Sequence, residues 1–369
     1  MQKINIDTPS KHHSCYLGNG ILKELPQLCN LHKLPSTRFV IIDSHVANYW
    51  YKEIESLLSN AEGTTHYYIM PSGEKSKSLK LVQAILETMV DLKINKDSVI
   101  IAIGGGVCGD LAGFIASIYS RGIGLVHIPT SLLAMIDSSI GGKNGIDFAG
   151  KKNNVGAIYQ ADFILTDTAF LKTLSRQEFL NGCGELIKYA YLSDNLFFEE
   201  INKFAEAGFP ENIEDLQSLI YQSIQMKVSV VSKDERESDL RKVLNLGHTF
   251  AHGIESASHF KMPHGMAVGA GILACLIASF RLSFIDEEKL KLYSALPLSL
   301  EYPPILQTLS PESIIEFMIF DKKSKDSTPQ FVLLKSIGQM VLNVSVPREI
   351  IYSSIQSAVT NICQDREQS

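Results

Sequence analysis

No two of the six cysteines (Cys15, Cys29, Cys108, Cys183, Cys275, Cys363) stand in a C-x-x-C spacing. A disulfide framework is therefore not expected, and the thiols read as free in a reducing compartment. No dense Lys/Arg run occurs, and the formal charge of -6 argues against a nucleic-acid partner. The opening stretch "MQKINIDTPSKHHSCYLGNG" has no apolar core of the kind a secretory signal needs. The longest apolar run, 266–280, is shorter than the ~20 residues that span a bilayer, so it reads as a buried core helix. Repeats and low-complexity segments are absent too. These absences leave an expectation of a soluble, cytoplasmic protein without a membrane or nucleic-acid partner.

What is present is ample apolar material, 45% of 369 residues, enough for more than one core. Up to Asp167, short β-rich runs alternate with helical patterns. "RFVIID" (38–43), "HYYIM" (66–70), "SVIIAI" (98–103), "GLVHIP" (124–129) and "DFILTD" (162–167) read as buried strands. "SLKLVQAILETMVDL" (78–92) carries apolar residues at helical spacing. Such alternation predicts a mostly parallel sheet with helices on both faces. Beyond residue 175 the runs "RQEFLNGCGELIKYAYL", "EDLQSLIYQSIQMKVSVVSKDE", "GHTFAHGIESA" and "MAVGAGILACLIASFRL" read as helices. A late hairpin is expected from "QFVLL" (330–334) and "QMVLNVSV" (339–346). The parse is a nucleotide-binding α/β domain over 1–173 and a helical domain over 174–369.

Gly104, Gly106 and Gly109 form G-x-G-x-x-G between a strand and a helix. Glycines admit a pyrophosphate close to the backbone, and the helix N-terminus behind them favours anions. The loop comes late, and no acidic residue ends the next strand, as a Rossmann ribose contact requires. Asp43, closing the first central strand, can take that place. Two further polar loops follow strands: "PSGEKSKSLK" (71–80), with Glu74 and Lys77, and "PTSLLAMIDSSIGGKNGID" (129–147). The second gathers Thr130, Ser131, Asp137, Lys143 and Asn144. Finally, His248 and His252 stand four apart in "LNLGHTFAHGIES", which puts both imidazoles on one helix face. Spacing alone leaves open whether both bind a metal or only one does.

"GGGVCGDLAGF", "PTSLLAMIDSSIGGKNGID", "GELIKY", "LRKVLNLGHTFAHGIE", "HG" at 264–265 and "DKK" at 321–323 resemble, in order and spacing, the 3-dehydroquinate synthases. The resemblance covers nearly the whole chain. It implies a doubly wound N-terminal NAD-binding domain, a mainly helical C-terminal domain and a homodimer. It also implies a lyase of the shikimate pathway, which leads to chorismate and the aromatic amino acids. That enzyme converts 3-deoxy-D-arabino-heptulosonate 7-phosphate to 3-dehydroquinate and phosphate, using NAD and one divalent metal, zinc or cobalt. The implied chemistry is a transient oxidation at C5, phosphate elimination with the leaving phosphate taking the proton, re-reduction, and an aldol closure.

By the same resemblance Glu185, His248 and His264 hold the metal, and His252 serves substrate and proton transfer. Asp137, Lys143, Lys188, Lys227, Arg241 and Asn245 match positions around the substrate and cofactor. Lys152, Asn153 and one or both of Lys322 and Lys323 match the phosphate contacts, with Arg121 contributed across the dimer. Asp43, Glu74, Lys77, Gly105, Gly106, Val107, Asp110, Thr130, Ser131, Lys143, Lys152, Phe170 and Thr173 match the cofactor contacts.

The chain departs from the family pattern at Met266, where "HGE" is usual, and at Ala251, Ala190, Asn154, Ser131 and Met135. Sister cyclases that make 2-deoxy-scyllo-inosose or valiolone-type products are one alternative. A metal-dependent polyol dehydrogenase resembling glycerol dehydrogenase is another, and a non-catalytic binding protein a third.

Overall fold

The computed structural model describes residues 1–209, 213–320 and 329–368. The chain divides into two compact units: Met1–Ser175 with Ile213–Arg236, and Arg176–Asn212 with Glu237–Ser369.

The first unit opens with β1 (Gln2–Asp7), β2 (His12–Gly18) and α1 (Leu25–Leu31). There follow β3 (Thr37–Asp43), α2 (Ser44–Ser59), β4 (Thr64–Met70) and α3 (Leu79–Asp91). Next come β5 (Ser98–Gly104), α4 (Gly106–Ile118), β6 (Gly124–Pro129), a hairpin of β7 (Lys143–Phe148) and β8 (Lys151–Ile158), and β9 (Phe163–Asp167). Seven strands make one sheet in the order β1-β2-β9-β6-β5-β3-β4, parallel except for the edge pair β1–β2. β5 is buried at every residue, as expected of a parallel strand covered on both faces. After β3 the chain turns to β4 on one side and to β5 on the other. The carboxyl ends of β3 and β5, Asp43 and Gly104, therefore flank a topological switch point, where open α/β sheets bind ligands.

Two pieces of this unit differ from the sequence expectation. β1–β2 extends the sheet by an antiparallel edge, and β7–β8 folds as a hairpin where the sequence reads as polar loop. A third difference lies at α7 (Ile213–Val231), which belongs to the first unit although it follows residue 173. Lys227 on α7 donates to the Asp137 carbonyl at 2.6 Å and pairs with its carboxylate at 2.9 Å. Beyond the helix, Glu235 accepts from Gln160 at 2.7 Å and from Ser10. These polar ties, absent from any local sequence pattern, return the segment to the sheet.

The second unit contains α5 (Arg176–Leu192), α6 (Asn195–Glu206), α8 (His248–Ala257), α9 (His264–Arg281) and α10 (Glu287–Leu298). It ends with α11 (Pro311–Phe320), the hairpin β10 (Gln330–Ser336)–β11 (Gln339–Ser345), and α12 (Arg348–Gln368). α9 is apolar all round because it is the core: 83% of it is buried inside the protein. It is long and apolar enough to cross a bilayer by composition, but its burial fits the core-helix expectation.

Candidate metal centre and glycine loop

The metal-ligand candidates lie on three helices of the second unit, and glycines bring those helices together. A Cβ on Gly184 of α5 would sit 1.9 Å from the Gly265 carbonyl oxygen on α9. A Cβ on Gly265 would sit 1.8 Å from the Asn181 carbonyl oxygen on α5. α5 and α9 thus touch backbone to backbone, which sets Glu185 beside His264. Gly247, at φ +81° before α8, turns the chain so that His248 opens that helix. Its carbonyl oxygen would lie 2.3 Å from a Cβ on Gly271, so α8 also packs tightly on α9.

Glu185 Oε1 lies 3.1 Å from His264 Nε2 and 3.4 Å from His248 Nε2. One ligand atom from each of the three residues falls within 4.8 Å of the others, a spacing suited to a metal ion. Each imidazole has its second nitrogen engaged: His248 Nδ1 with the Leu246 carbonyl at 3.2 Å, His264 Nδ1 with Glu255 Oε2 at 3.3 Å. With each Nδ1 engaged elsewhere, both Nε2 atoms face Glu185 and would be the nitrogens offered to a metal. Two imidazoles and one carboxylate are a donor set suited to zinc or cobalt, and three protein ligands leave room for substrate oxygen.

Glu185 is fully buried and ion-paired to Lys188 Nζ at 2.5 Å, one helical turn on. Burial works to raise its carboxyl, but Lys188, His248 and hydrogen bonds from both imidazoles hold it well below the usual range. Burial would lower the His264 imidazole, yet Glu255 and then Glu185 raise it to about 10.

His252 is exposed, and its ring lies 5.8 Å from that of His248 at 90°, outside the group of three. Arg241 is buried, and Asn245 donates to Glu237 at 2.5 Å, both in the turn Leu240–Asn245 that feeds α8.

In the first unit, α4 starts at Gly106 with Gly105 as its cap residue and no side chain capping it. Its first-turn N–H groups are of the kind that binds phosphate. Gly104 sits against Asp43, whose Cβ would be 3.1 Å from a Cβ there. Asp43 Oδ1 accepts from Ser72 Oγ at 2.5 Å and from the His45 N–H at 2.8 Å, both on the same oxygen. Thr130 N–H bonds the Gly104 carbonyl, and Ser131 Oγ accepts from Ala134 N–H at 3.3 Å. Val107 lies in the first turn of α4. Lys77 is buried and pairs with Asp110 at 2.5 Å. Burial works against the Lys77 ammonium, but Asp110, Glu74 and Asp147 outweigh it and hold it above the usual lysine value. Burial pushes the Asp110 carboxyl up, with Lys77 pulling the other way; at this distance the charged pair is the favoured state.

Lys152 reaches toward Glu74 at 3.9 Å, and Asn153, at φ +50°, donates its N–H to Asp147 at 2.9 Å. Lys143 opens β7 with its side chain exposed. Arg121 is exposed at φ +67°. Phe170 is buried against Trp50, with ring centroids 4.7 Å apart; Thr173 Oγ1 accepts from Trp50 at 2.9 Å. Lys322 and Lys323 lie outside the described residues.

Two family models match consecutive stretches: 3-dehydroquinate synthase N-terminal over residues 67–181 and 3-dehydroquinate synthase C-terminal over 182–324. The chain belongs to the 3-dehydroquinate synthase family. A 3-dehydroquinate synthase of Alkaliphilus oremlandii is 37% identical over 355 residues, covering 96% of each chain. In fold, the chain is similar to 2-deoxy-scyllo-inosose synthase, solved with carbaglucose-6-phosphate, NAD+ and Co2+. The TM-score is 0.85 at 23% identity, covering 96% of this chain and 100% of that one. It is equally similar to the 2-epi-5-epi-valiolone synthase of Streptomyces hygroscopicus subsp. jinggangensis, solved with NAD+ and Zn2+. There the TM-score is 0.85 at 23% identity, covering 94% and 97%.

Membership in the 3-dehydroquinate synthase family does not by itself single out three residues that the geometry brings in. Glu255 contacts His264 from α8, and no local spacing announces it. Ser138 and Ser139 line a small cavity with Gly104, Gly105 and His127, and their hydroxyl oxygens are buried without a hydrogen-bond partner among the described residues. The stretch 129–147 reads in sequence as a candidate functional loop, but Ser138 and Ser139 are not singled out within it.

Proposed function

We infer that the protein is a 3-dehydroquinate synthase in activity: an NAD- and metal-dependent carbon–oxygen lyase that converts 3-deoxy-D-arabino-heptulosonate 7-phosphate to 3-dehydroquinate and phosphate. The observation that carries this reading is the convergence of Glu185, His248 and His264, with both Nε2 atoms within 3.4 Å of one carboxylate oxygen, in a chain of this family. A divalent zinc or cobalt held there supplies Lewis acidity toward a substrate hydroxyl and carbonyl. The uncapped N-terminus of α4 would hold the pyrophosphate of NAD, which would supply reversible hydride acceptance.

The remaining roles fall to the chain's own groups. Gly105, Gly106 and Val107 offer backbone N–H groups to the pyrophosphate, and Asp43 accepts from a ribose hydroxyl. Lys77 and Asp110 hold each other in place beneath the loop, and Thr130, Ser131, Phe170 and Thr173 complete the cofactor contacts. Lys188 and Arg241 neutralise the substrate carboxylate, and Asn245 and Asp137 bind its hydroxyls. His252 exchanges a proton with substrate, because imidazole titrates near neutrality and this one is not needed by the metal. Lys143 and Lys227 add positive charge near the substrate. Lys152, Asn153 and the Lys322/Lys323 pair receive the phosphate. The same reading includes a homodimer, with Arg121 serving the phosphate contacts across it, and a cytoplasmic location in keeping with the free thiols. The residue divisions 1–173 for the cofactor and 174–369 for metal and substrate belong to it as well, with α7 the exception noted above.

Parallel incubations with 3-deoxy-D-arabino-heptulosonate 7-phosphate, other sugar phosphates and simple polyols test the reading. Phosphate release from the first substrate alone, with no lasting NADH absorbance, supports it. Phosphate release from a different sugar phosphate would make it a sister cyclase, and net NADH from a polyol a dehydrogenase.

A further inference from the structure

His264 is held from two sides. Its neighbour Gly265 donates a backbone N–H to Asn181 Oδ1 at 2.7 Å, so a side chain of α5 caps the start of α9. Its ring meets Glu255 Oε2 at 3.3 Å through Nδ1. Glu255 stands two turns after His248 on α8, with a side chain only 3% exposed. α8 thus supplies one candidate ligand at its first residue and, near its last turn, a carboxylate aimed at another candidate ligand on α9.

A neutral imidazole carries one N–H, and whatever accepts that N–H decides which nitrogen keeps the lone pair. A buried carboxylate is the strongest acceptor available for that bond. It commits Nδ1 to donation, so that Nε2, 3.1 Å from Glu185 Oε1, is the nitrogen whose lone pair would be free for a metal seated between the two. His248 is committed the same way by a neutral acceptor, the Leu246 carbonyl. The two imidazoles therefore differ in electronic character: the His264 ring, backed by a negative charge, is the more basic donor. Met266, two residues after His264, is buried and carries no carboxylate to do this.

We propose that Glu255 is the positioning residue for His264, fixing its tautomer and raising its affinity for the metal. This rests on the reading of Glu185, His248 and His264 as the metal ligands. Glu255 is not one of the three grouped ligand candidates, and in this assignment it acts on the metal through the His264 ring.

The test uses the full chain, stripped and titrated with zinc against a chromophoric chelator, and with cobalt followed through its visible absorption bands. Glu255→Gln keeps the shape of the side chain and removes the charge. It is expected to weaken zinc binding about 10- to 100-fold and to shift the cobalt bands. Unchanged zinc affinity and cobalt bands in Glu255→Gln, whatever its melting temperature, would overturn the proposal, since a purely structural role moves stability alone. A second measurement needs no variant: nitrogen-15 NMR of histidine-labelled, zinc-loaded protein. The His264 proton is expected on Nδ1, and a proton on Nε2 would refute the inference. If the unaltered chain binds no zinc, the ligand reading itself fails, whereas equal binding by both proteins sinks only the role of Glu255.

Discussion

Replacing Gly184 by Ala perturbs the metal centre without touching any charged group. The added methyl carbon would start 1.9 Å from the Gly265 carbonyl oxygen and 2.9 Å from the Gly265 Cα. A carbon and a carbonyl oxygen approach no closer than about 3.3 Å without strain, so α5 and α9 must part by roughly 1.4 Å there. Backbone cannot swing aside as a flexible side chain does. Glu185 follows Gly184 directly and His264 precedes Gly265, so the 3.1 Å separation of their ligand atoms widens by a similar amount. Overpacking of this kind costs about 1–3 kcal/mol, a fall in melting temperature of roughly 2–12 °C for a unit of this size. A displacement near 1 Å also exceeds the roughly 0.5 Å tolerance within which a metal site keeps its geometry. Gly184→Ala is therefore expected to lose both stability and at least tenfold in zinc affinity, measured by thermal unfolding and chelator competition. Gly265→Ala strains the same contact from the other side, so the double variant should cost less than the two singles added. Unaltered melting and zinc affinity in Gly184→Ala would refute the claim that this backbone contact sets the site.

Three other outcomes follow from the structure. His248→Ala is expected to lose the metal, whereas His252→Ala keeps it and loses about 10²- to 10⁴-fold in turnover; metal content and kcat read the two effects apart. Removing Lys77 as Lys77→Met leaves the buried Asp110 unpaired and should destabilise by about 3–5 kcal/mol, partly recovered in Lys77→Met/Asp110→Asn; urea unfolding of the four proteins measures the coupling. His13 and His127 are each held at about 4, chiefly by burial, against about 6.5 in the unfolded chain. Their neutral forms support the fold fully above pH 6.5, and that support is lost as pH falls toward 4, by up to roughly 3 kcal/mol for each. Urea midpoints should drop across that window, and a His127→Gln variant with the same pH slope as the parent would contradict the assignment.

How much of this was legible in the sequence depended on burial. β3, β5, β6 and β9 announced themselves because parallel strands covered on both faces must be continuously apolar, while β4, at the sheet edge and mostly half-exposed, was legible from its β-branched and aromatic run. α5 was readable end to end from "RQEFLNGCGELIKYAYL", since the structure bounds it at Arg176–Leu192. β7 and β8 were not, because "KNGIDF" and "KKNNVGAI" are rich in Lys, Asn and Gly and only partly buried. Such a hairpin is held by its ladder, not by an apolar face. α7 looked like one helix among the later ones; its placement with the sheet comes from Lys227 and Asp137, ninety residues apart.

At the site, the His248/His252 spacing flagged the helix but not the ligand set, and the choice of Glu185 and His264 came from the family resemblance. The structure groups those residues through the glycine contacts of α5, α8 and α9, which sequence spacing does not display. Glu255 was invisible for the same reason: nine residues and a helix change separate it from His264.

The most direct measurement strips the protein of metal, adds NAD and 3-deoxy-D-arabino-heptulosonate 7-phosphate, and titrates zinc or cobalt back while following 3-dehydroquinate and phosphate together. The account expects no turnover in the stripped protein. Both products should then appear in equal amounts, turnover should saturate at about one metal per chain, and no NADH should accumulate. Turnover that persists under chelation, or metal and NAD binding without 3-dehydroquinate, would contradict it.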